Sequence, residues 1–274
     1  MMLPSLSVII TTYNWPQALQ LVLASLKAQQ YFAKTEIIIA DDGSSAPTAA
    51  CIEKARLQTK VPIQHIWQPD QGFRAAKARN QAIFAASHDY ILFLDGDCVV
   101  PKNFLLRHAQ LATPHHFVAG NRILLSQSIS QQLLVQQTAI FNWSYLQWLK
   151  LRLSGKCNRV LPLLGLPLGP LRQCRPWRWQ GVKTCNLGVW RAHLWAINGF
   201  EEKYTGWGFE DSDLVIRLQK QQIRRKDGHF SVPVWHLWHP QQSRVNAQQN
   251  YAKLQLIQNS AQIKAMDGLD QYVR

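Results

Sequence analysis

Residues Tyr90-Ile91-Leu92-Phe93-Leu94-Asp95-Gly96-Asp97, "YILFLDGD", run from five apolar side chains straight into two carboxylates separated by one glycine. An apolar run of this length suits a strand covered on both faces, and such strands belong to parallel sheets flanked by helices. The flanking sequence repeats the theme. Leu6 to Ile10, Glu36 to Ala40 and Ile63 to Trp67 read as three earlier strands. Between them lie helical segments: one after Asn14, with Pro16 in its first turn and Leu19, Val22, Leu23 and Leu26 at helical spacing, another over about 47–58, and an alanine-rich third over about 74–86. Asn14 is read as the cap of the first. Strand and helix in alternation predict an α/β fold with a doubly wound, mostly parallel sheet. Ligands of such sheets bind beyond the carboxyl ends of the strands, where Asp41-Asp42 and Asp95-Gly96-Asp97 both fall.

The acids are scarce and clustered. Of 16 in a chain of 274 residues with formal net charge +14, seven form three groups: Asp41 with Asp42, Asp95 with Asp97, and Glu210 and Asp211 with Asp213. A single group can be a turn or helix cap. Three suggest chemistry. Two Asp around one small residue can hold magnesium or manganese through oxygen ligands, with Gly96 leaving room for the ion. In "WHLWH", His239 is the first candidate to join Asp97 at a metal, and His236 the second. At i and i+3 their rings face opposite sides of an ideal strand, so joint ligation needs a bend at Leu237-Trp238.

In "GWGFEDSD" (206–213), two glycines permit unusual backbone angles, Trp207 offers an aromatic face for a sugar, and Glu210 and Asp211 offer a general base. Asp213 falls near the start of the helix that follows, where its charge complements the dipole.

From Cys98 to Phe200 there is no Asp or Glu but there are 12 Lys and Arg, a distribution that attracts phosphorylated substrates, anionic headgroups or nucleic acid. A helix is read over 129–151, followed by an irregular basic stretch, 153–179, with interleaved Trp and Leu. That stretch is either a solvated loop or a contact with an anionic membrane surface, and Arg172, Arg175 and Arg178 are its candidate cations. The start of the chain has no basic leader, and Leu6–Ile10 is too short for a signal peptide or a span. A cytoplasmic chain, peripheral on the inner face of the cytoplasmic membrane if the basic stretch binds it, is therefore expected. Five cysteines without Cys-x-x-Cys spacing read as reduced thiols.

"SVIITTYN", "IIIADDGSS", "GFRAAKARNQAI", "YILFLDGDCVVP", "CNLGVWR", "INGFEEKYTGWGFEDSDLVIRL" and "HLWH" occur in that order over about residues 5–240. The series resembles inverting, metal-dependent family 2 glycosyltransferases of GT-A fold, and its later part looks like the carboxyl-terminal module shared with β-1,4-galactosyltransferases. The resemblance implies a nucleotide-sugar-binding part over 5–125, a basic insertion over 126–180, an acceptor and catalytic part over 181–240 and a helical tail over 241–274. It assigns Thr11, Tyr13 and Asp41 to the nucleotide base and ribose, with Asp42 nearby and Arg79 near the nucleotide or its phosphates. Asp95 falls to ribose or metal, Asp97 and His239 to Mn2+ or Mg2+, and His236 less securely to the same ion. It makes Asp211 the base, Glu210 a sugar contact and Trp207 the acceptor lining, with Asn186 approaching the sugars. A UDP-sugar donor and a glycan or glycolipid acceptor follow, in bacterial surface polysaccharide or lipopolysaccharide synthesis. An inactive carbohydrate-binding relative is the alternative of another class. A basic nucleic-acid-binding protein is a further one, but it leaves the acidic clusters without a role, so no nucleic acid partner is expected.

Overall fold

The computed structural model describes residues 2–241 and 243–273. Its strands are β1 (Leu6–Thr12), β2 (Thr35–Asp41), β3 (Ile63–Trp67), β4 (Tyr90–Asp95), β5 (Cys98–Val99), β6 (His116–Ala119), β7 (Asn121–Leu124), β8 (Asn186–Trp190), β9 (Arg224–Asp227) and β10 (Pro233–His236). Its helices are α1 (Pro16–Lys27), α2 (Ala46–Leu57), α3 (Ala75–Ala85), α4 (Phe104–Leu111), α5 (Gln127–Gln136), α6 (Tyr145–Leu153), α7 (Arg191–Ala196), α8 (Glu210–Lys220) and α9 (Ala247–Asn259).

Seven strands make the central sheet in the order β3-β2-β1-β4-β8-β6-β9, parallel throughout except at β8, which runs against both neighbours. The α/β reading holds. Two apolar layers sandwich the sheet because β1, β2 and β4 alternate which side chain each layer receives: Val8, Ile10, Leu92 and Leu94 go to one, Ile9, Ile38, Ile91 and Phe93 to the other. A small second sheet, β5-β10-β7, stands against the first layer.

The register does the positioning. Thr12 lies opposite Asp41 and Thr11 opposite Asp95, so three strands end level at one edge. The reversed β8 pairs Leu94 with Asn186, which brings the residues just before β8, Lys183 to Cys185, to that same edge.

Three local expectations are corrected. Asn14 does not cap α1: its backbone is left-handed, φ 44°, and its Oδ1 accepts from the backbone N and the hydroxyl of Ser45, tying the β1–α1 turn to the start of α2. The helix over 129–151 is two helices. Gln137 ends α5 in a left-handed conformation, and a capping box, with Ser144 and Gln147 satisfying each other's backbone N–H, starts α6 afresh. Arg172 is not an outward-facing cation. It is 6% exposed and donates to the carbonyls of Asp227, His229 and Leu166, pinning the basic stretch to the end of β9. No helix among the described residues is long and apolar enough to cross a membrane.

Candidate active site

A cleft of about 1110 Å³ opens at the edge where β1, β4 and the segment before β8 meet. The residues assigned to the base, the sugars, the nucleotide and the metal all line it except Asp41 and Asn186. Asp41 turns away, accepting from the backbone N–H of Ser44 and sitting 2.8 Å from His65 Nε2. Asp42 faces the cleft instead, fixed by the Arg74 N–H at 2.7 Å and the Gln68 amide at 2.6 Å. Burial pushes its carboxyl up, and those donors pull it back. Asn186 is also spent on the fold: its amide donates to the carbonyls of Val232 and Asn121, while its Oδ1 lies 3.0 Å from His108 Nε2.

At the open side of the cleft, Tyr13 donates to Asp70 at 2.8 Å, an exposed pairing that raises the phenol pKa. At its floor β4 delivers Asp95. The turn after it is held by the Gly96 N–H on the Thr11 carbonyl at 2.8 Å, and a Cβ on Gly96 would come within 3.0 Å of Thr12 Oγ1. Gly96 therefore lets this turn lie directly on β1.

The antiparallel pairing of β10 with β5 sets His236 opposite Cys98. The chain then bends, with the Leu237 N–H bound to the Asp97 carbonyl and the Trp238 N–H to Ser130 Oγ, so that both histidines face one carboxylate. His239 Nε2 lies 3.4 Å and His236 Nε2 3.7 Å from Asp97 Oδ2. His239 Nδ1 is 2.7 Å from the Pro240 carbonyl, which can only accept, so Nδ1 carries the proton. In the neutral ring Nε2 then presents a lone pair towards the carboxylate, an arrangement that suits a cation between them. Burial depresses the His236 pKa, which favours the neutral, ligating form. Asp97 and His236 lie close enough to share a divalent cation, and His239 faces the same carboxylate oxygen as a further nitrogen donor. Cys98, which sequence reasoning passed over, brings its Sγ within 4.8 Å of the Asp97 and His236 ligand atoms. Burial holds its pKa well up, so it serves as a thiol donating to Asp97 at 3.4 Å.

Across the cleft, α8 begins with Glu210, Asp211 and Asp213 in its first turn. Gly206, Gly208 and Phe209 have φ of 71°, 112° and 73°, so the approach to α8 is shaped by left-handed backbone. Asp213 is structural: it is bound by Arg217 Nε at 2.6 Å and by the Tyr204 hydroxyl, while Arg217 also holds the carbonyls of Ile197 and Gly199. Asp211 accepts from Thr184 Oγ1 at 2.6 Å, a partner with no signature in sequence because only the reversed β8 brings it here. Trp207 is half-buried, with the Arg244 guanidinium 5.0 Å from its ring centre on one face.

One buried guanidinium joins the two sides. From α3, Arg79 donates to Thr11 Oγ1 at 3.0 Å and lies 3.4 Å from Asp95, 3.4 Å from Glu210 and 3.8 Å from Asp211. Burial alone would lower its pKa, but the carboxylates outweigh burial and keep it charged. Burial pushes Glu210 up to about 7, aided by the like charge of Asp211 and opposed by Arg79. Asp95 is pushed up to about 6 by burial against the pull of Arg79, although 32% of its side chain is exposed and cleft water moderates the effect.

A mostly parallel sheet with carboxylates at its strand ends, facing an acidic helix start across a cleft, defines a GT-A type α/β protein. The chain belongs to glycosyl transferase family 2, whose pattern matches residues 7–160. A second pattern, the N-terminal domain of galactosyltransferase, matches residues 174–235. Validoxylamine A glucosyltransferase of Streptomyces hygroscopicus subsp. jinggangensis is 28% identical over 233 residues, 80% of this chain and 52% of the relative. The chain thus spans about half the length of that protein. Mannosyltransferase PcManGT from Pyrobaculum calidifontis, solved with GDP-Man and Mn2+, superposes with a TM-score of 0.65 at 16% identity, covering 95% of this chain and 66% of that one. TarS 1–349 of Staphylococcus aureus with UDP-GlcNAc gives 0.64 at 16% identity, covering 97% and 69%. At that identity the likeness is one of fold.

Proposed function

We propose that the chain is a metal-dependent, inverting glycosyltransferase that moves a hexose or N-acetylhexosamine from a UDP-sugar to a glycan or glycolipid acceptor, in bacterial surface polysaccharide or lipopolysaccharide synthesis. The observation that carries it is the division of carboxylates across one cleft, Asp95 and Asp97 on one side and Glu210 and Asp211 on the other, with Arg79 between. The UDP-GlcNAc bound by TarS supports the donor class, and the Mn2+ held by the mannosyltransferase supports the ion.

In this reading Asp211 is the base. An acceptor hydroxyl is a poor nucleophile at neutral pH, and a carboxylate that takes its proton as the new bond forms contributes about 10²- to 10⁴-fold. Thr184 and Arg79 orient Asp211, and Thr184 leaves its second oxygen free to receive the proton. Attack on the anomeric carbon comes from the side opposite the nucleotide, which inverts the configuration there. Glu210, protonated over part of the neutral range, can donate to a sugar oxygen, and Trp207 lines the acceptor side. Asp42 and Tyr13 line the nucleotide side, while Asp41 stabilises the turn behind them. Asp97, His239 and His236 would hold the divalent ion, which when bound offsets the charge of the departing diphosphate.

The test is hydrolysis of a panel of UDP-sugars with Mn2+. Turnover should be lost with Asp97→Ala and on chelation. Asp211→Asn should abolish transfer yet leave UDP affinity nearly intact, and transfer at the normal rate by that variant would remove Asp211 from its role.

A further inference from the structure

Beside the cleft lies a second cavity of about 540 Å³, walled by β7, the basic stretch and β9. It contains six Lys and Arg side chains, Arg122, Arg159, Arg175, Arg178, Lys183 and Arg225, against one acid, Asp227. Only Arg225 is paired, at 3.7 Å from Asp227; the other five make no side-chain hydrogen bond or ion pair among the described residues. Arg225 is depressed by burial and then, against Asp227, by the neighbouring Arg178 and Arg175. Like charges held together without counterions raise the local concentration of anions.

The wall is also braced. Arg172 fixes it through three backbone carbonyls, so its exposed arginines are displayed from a framed segment. The cavity joins the cleft at Arg122, Leu124, Lys183 and Cys185, which line both. Lys183 immediately precedes Thr184, the hydrogen-bond donor to Asp211. A ligand group seated in the cavity therefore lies beside the acceptor side of the cleft, and a concave site of this volume suits a sugar unit better than a flat bilayer surface.

From this geometry we infer that the acceptor is an anionic glycan, whose phosphate or carboxylate substituent is held by the basic cavity while its neighbouring hydroxyl faces Asp211. The inference rests on the transferase reading above and extends it to the acceptor.

The experiment measures binding of glucose 6-phosphate, glucuronate and glucose by ligand-observed NMR, with saturating UDP occupying the donor side. The proteins are the wild type and Arg159→Gln/Arg175→Gln/Arg178→Gln, three exposed side chains without partners. Either anionic sugar should bind and glucose should not. The triple variant should lose at least about tenfold in that affinity, as expected for lost charge-assisted contacts. Unchanged affinity in the variant, equal binding of glucose, or displacement of the anionic sugar by UDP would overturn the assignment. Phosphatidylglycerol vesicles separate out a membrane role: a variant that loses vesicle binding but keeps its sugar-phosphate affinity also overturns it. UDP affinity is read in parallel. Its absence refutes the donor reading, while the comparison of wild type and variant without UDP still decides the cavity.

Discussion

Replacing Arg79 by methionine isolates the electrostatic link between the two halves of the cleft. Each carboxylate at 3.4 to 3.8 Å attracts the guanidinium by a gross about 4–5 kcal/mol at an effective dielectric of about 20. Burial of the guanidinium and repulsion among the carboxylates offset much of that. What remains on removing one partner of a buried set is about 3–5 kcal/mol. For a chain of this size that lowers the melting temperature by at least about 6 °C. The loss should depend on pH in a fixed direction. The folded-state pKa of Glu210 lies above its unfolded value, so ionising it costs stability as pH rises from about 4.5 through about 7. Without Arg79 that pKa rises further and the cost extends to higher pH. At pH 5 Glu210 is protonated in both proteins, so the gap narrows; at pH 8 it is widest. Thermal melts followed by circular dichroism at the two pH values provide the assay. A gap below 2 °C, or one equal at both pH values, would refute the hub.

Glu210→Gln should stabilise the unliganded protein at pH 8, with a ceiling of about 3 kcal/mol from a rise of 4.5 to about 7, and have no effect below pH 4.5 in the same melts. Arg217→Met should cost about 3–5 kcal/mol in urea titrations, because it strands the buried Asp213 and the carbonyls of Ile197 and Gly199. Gly188→Ala should cost about 1–3 kcal/mol, since its Cβ would lie 2.2 Å from the Tyr90 hydroxyl in the packed core; an unchanged midpoint would mean that Tyr90 has room to move.

The sheet was legible because β1, β2 and β4 are dominated by apolar, mostly β-branched or leucine side chains, and runs of that kind need cover on both faces. The acidic strand ends followed from the same pattern. What sequence could not supply were the contacts that depend on β8 running backwards: Thr184 on Asp211, and the commitment of Asn186 to the fold. The resemblance puts Arg79 near the nucleotide or its phosphates, while its protein partners come from three other segments, which no local spacing announces. The break in the 129–151 helix was readable in principle, from Ser144 and Gln147 at capping-box spacing. That Asp42 faces the cleft and Asp41 does not follows from their partners, Ser44 and His65 for one and Arg74 and Gln68 for the other, which local spacing does not announce either.

The turn into α8 carries one more consequence. Its shape comes from the left-handed backbone at Gly206, Gly208 and Phe209, and from Asn246 and Asn250 donating to the Thr205 carbonyl. None of these needs the indole of Trp207. The indole is therefore interchangeable while its mount is fixed: under the transferase reading proposed above, swapping the side chain at position 207 should retune acceptor choice and leave Asp211 where it is.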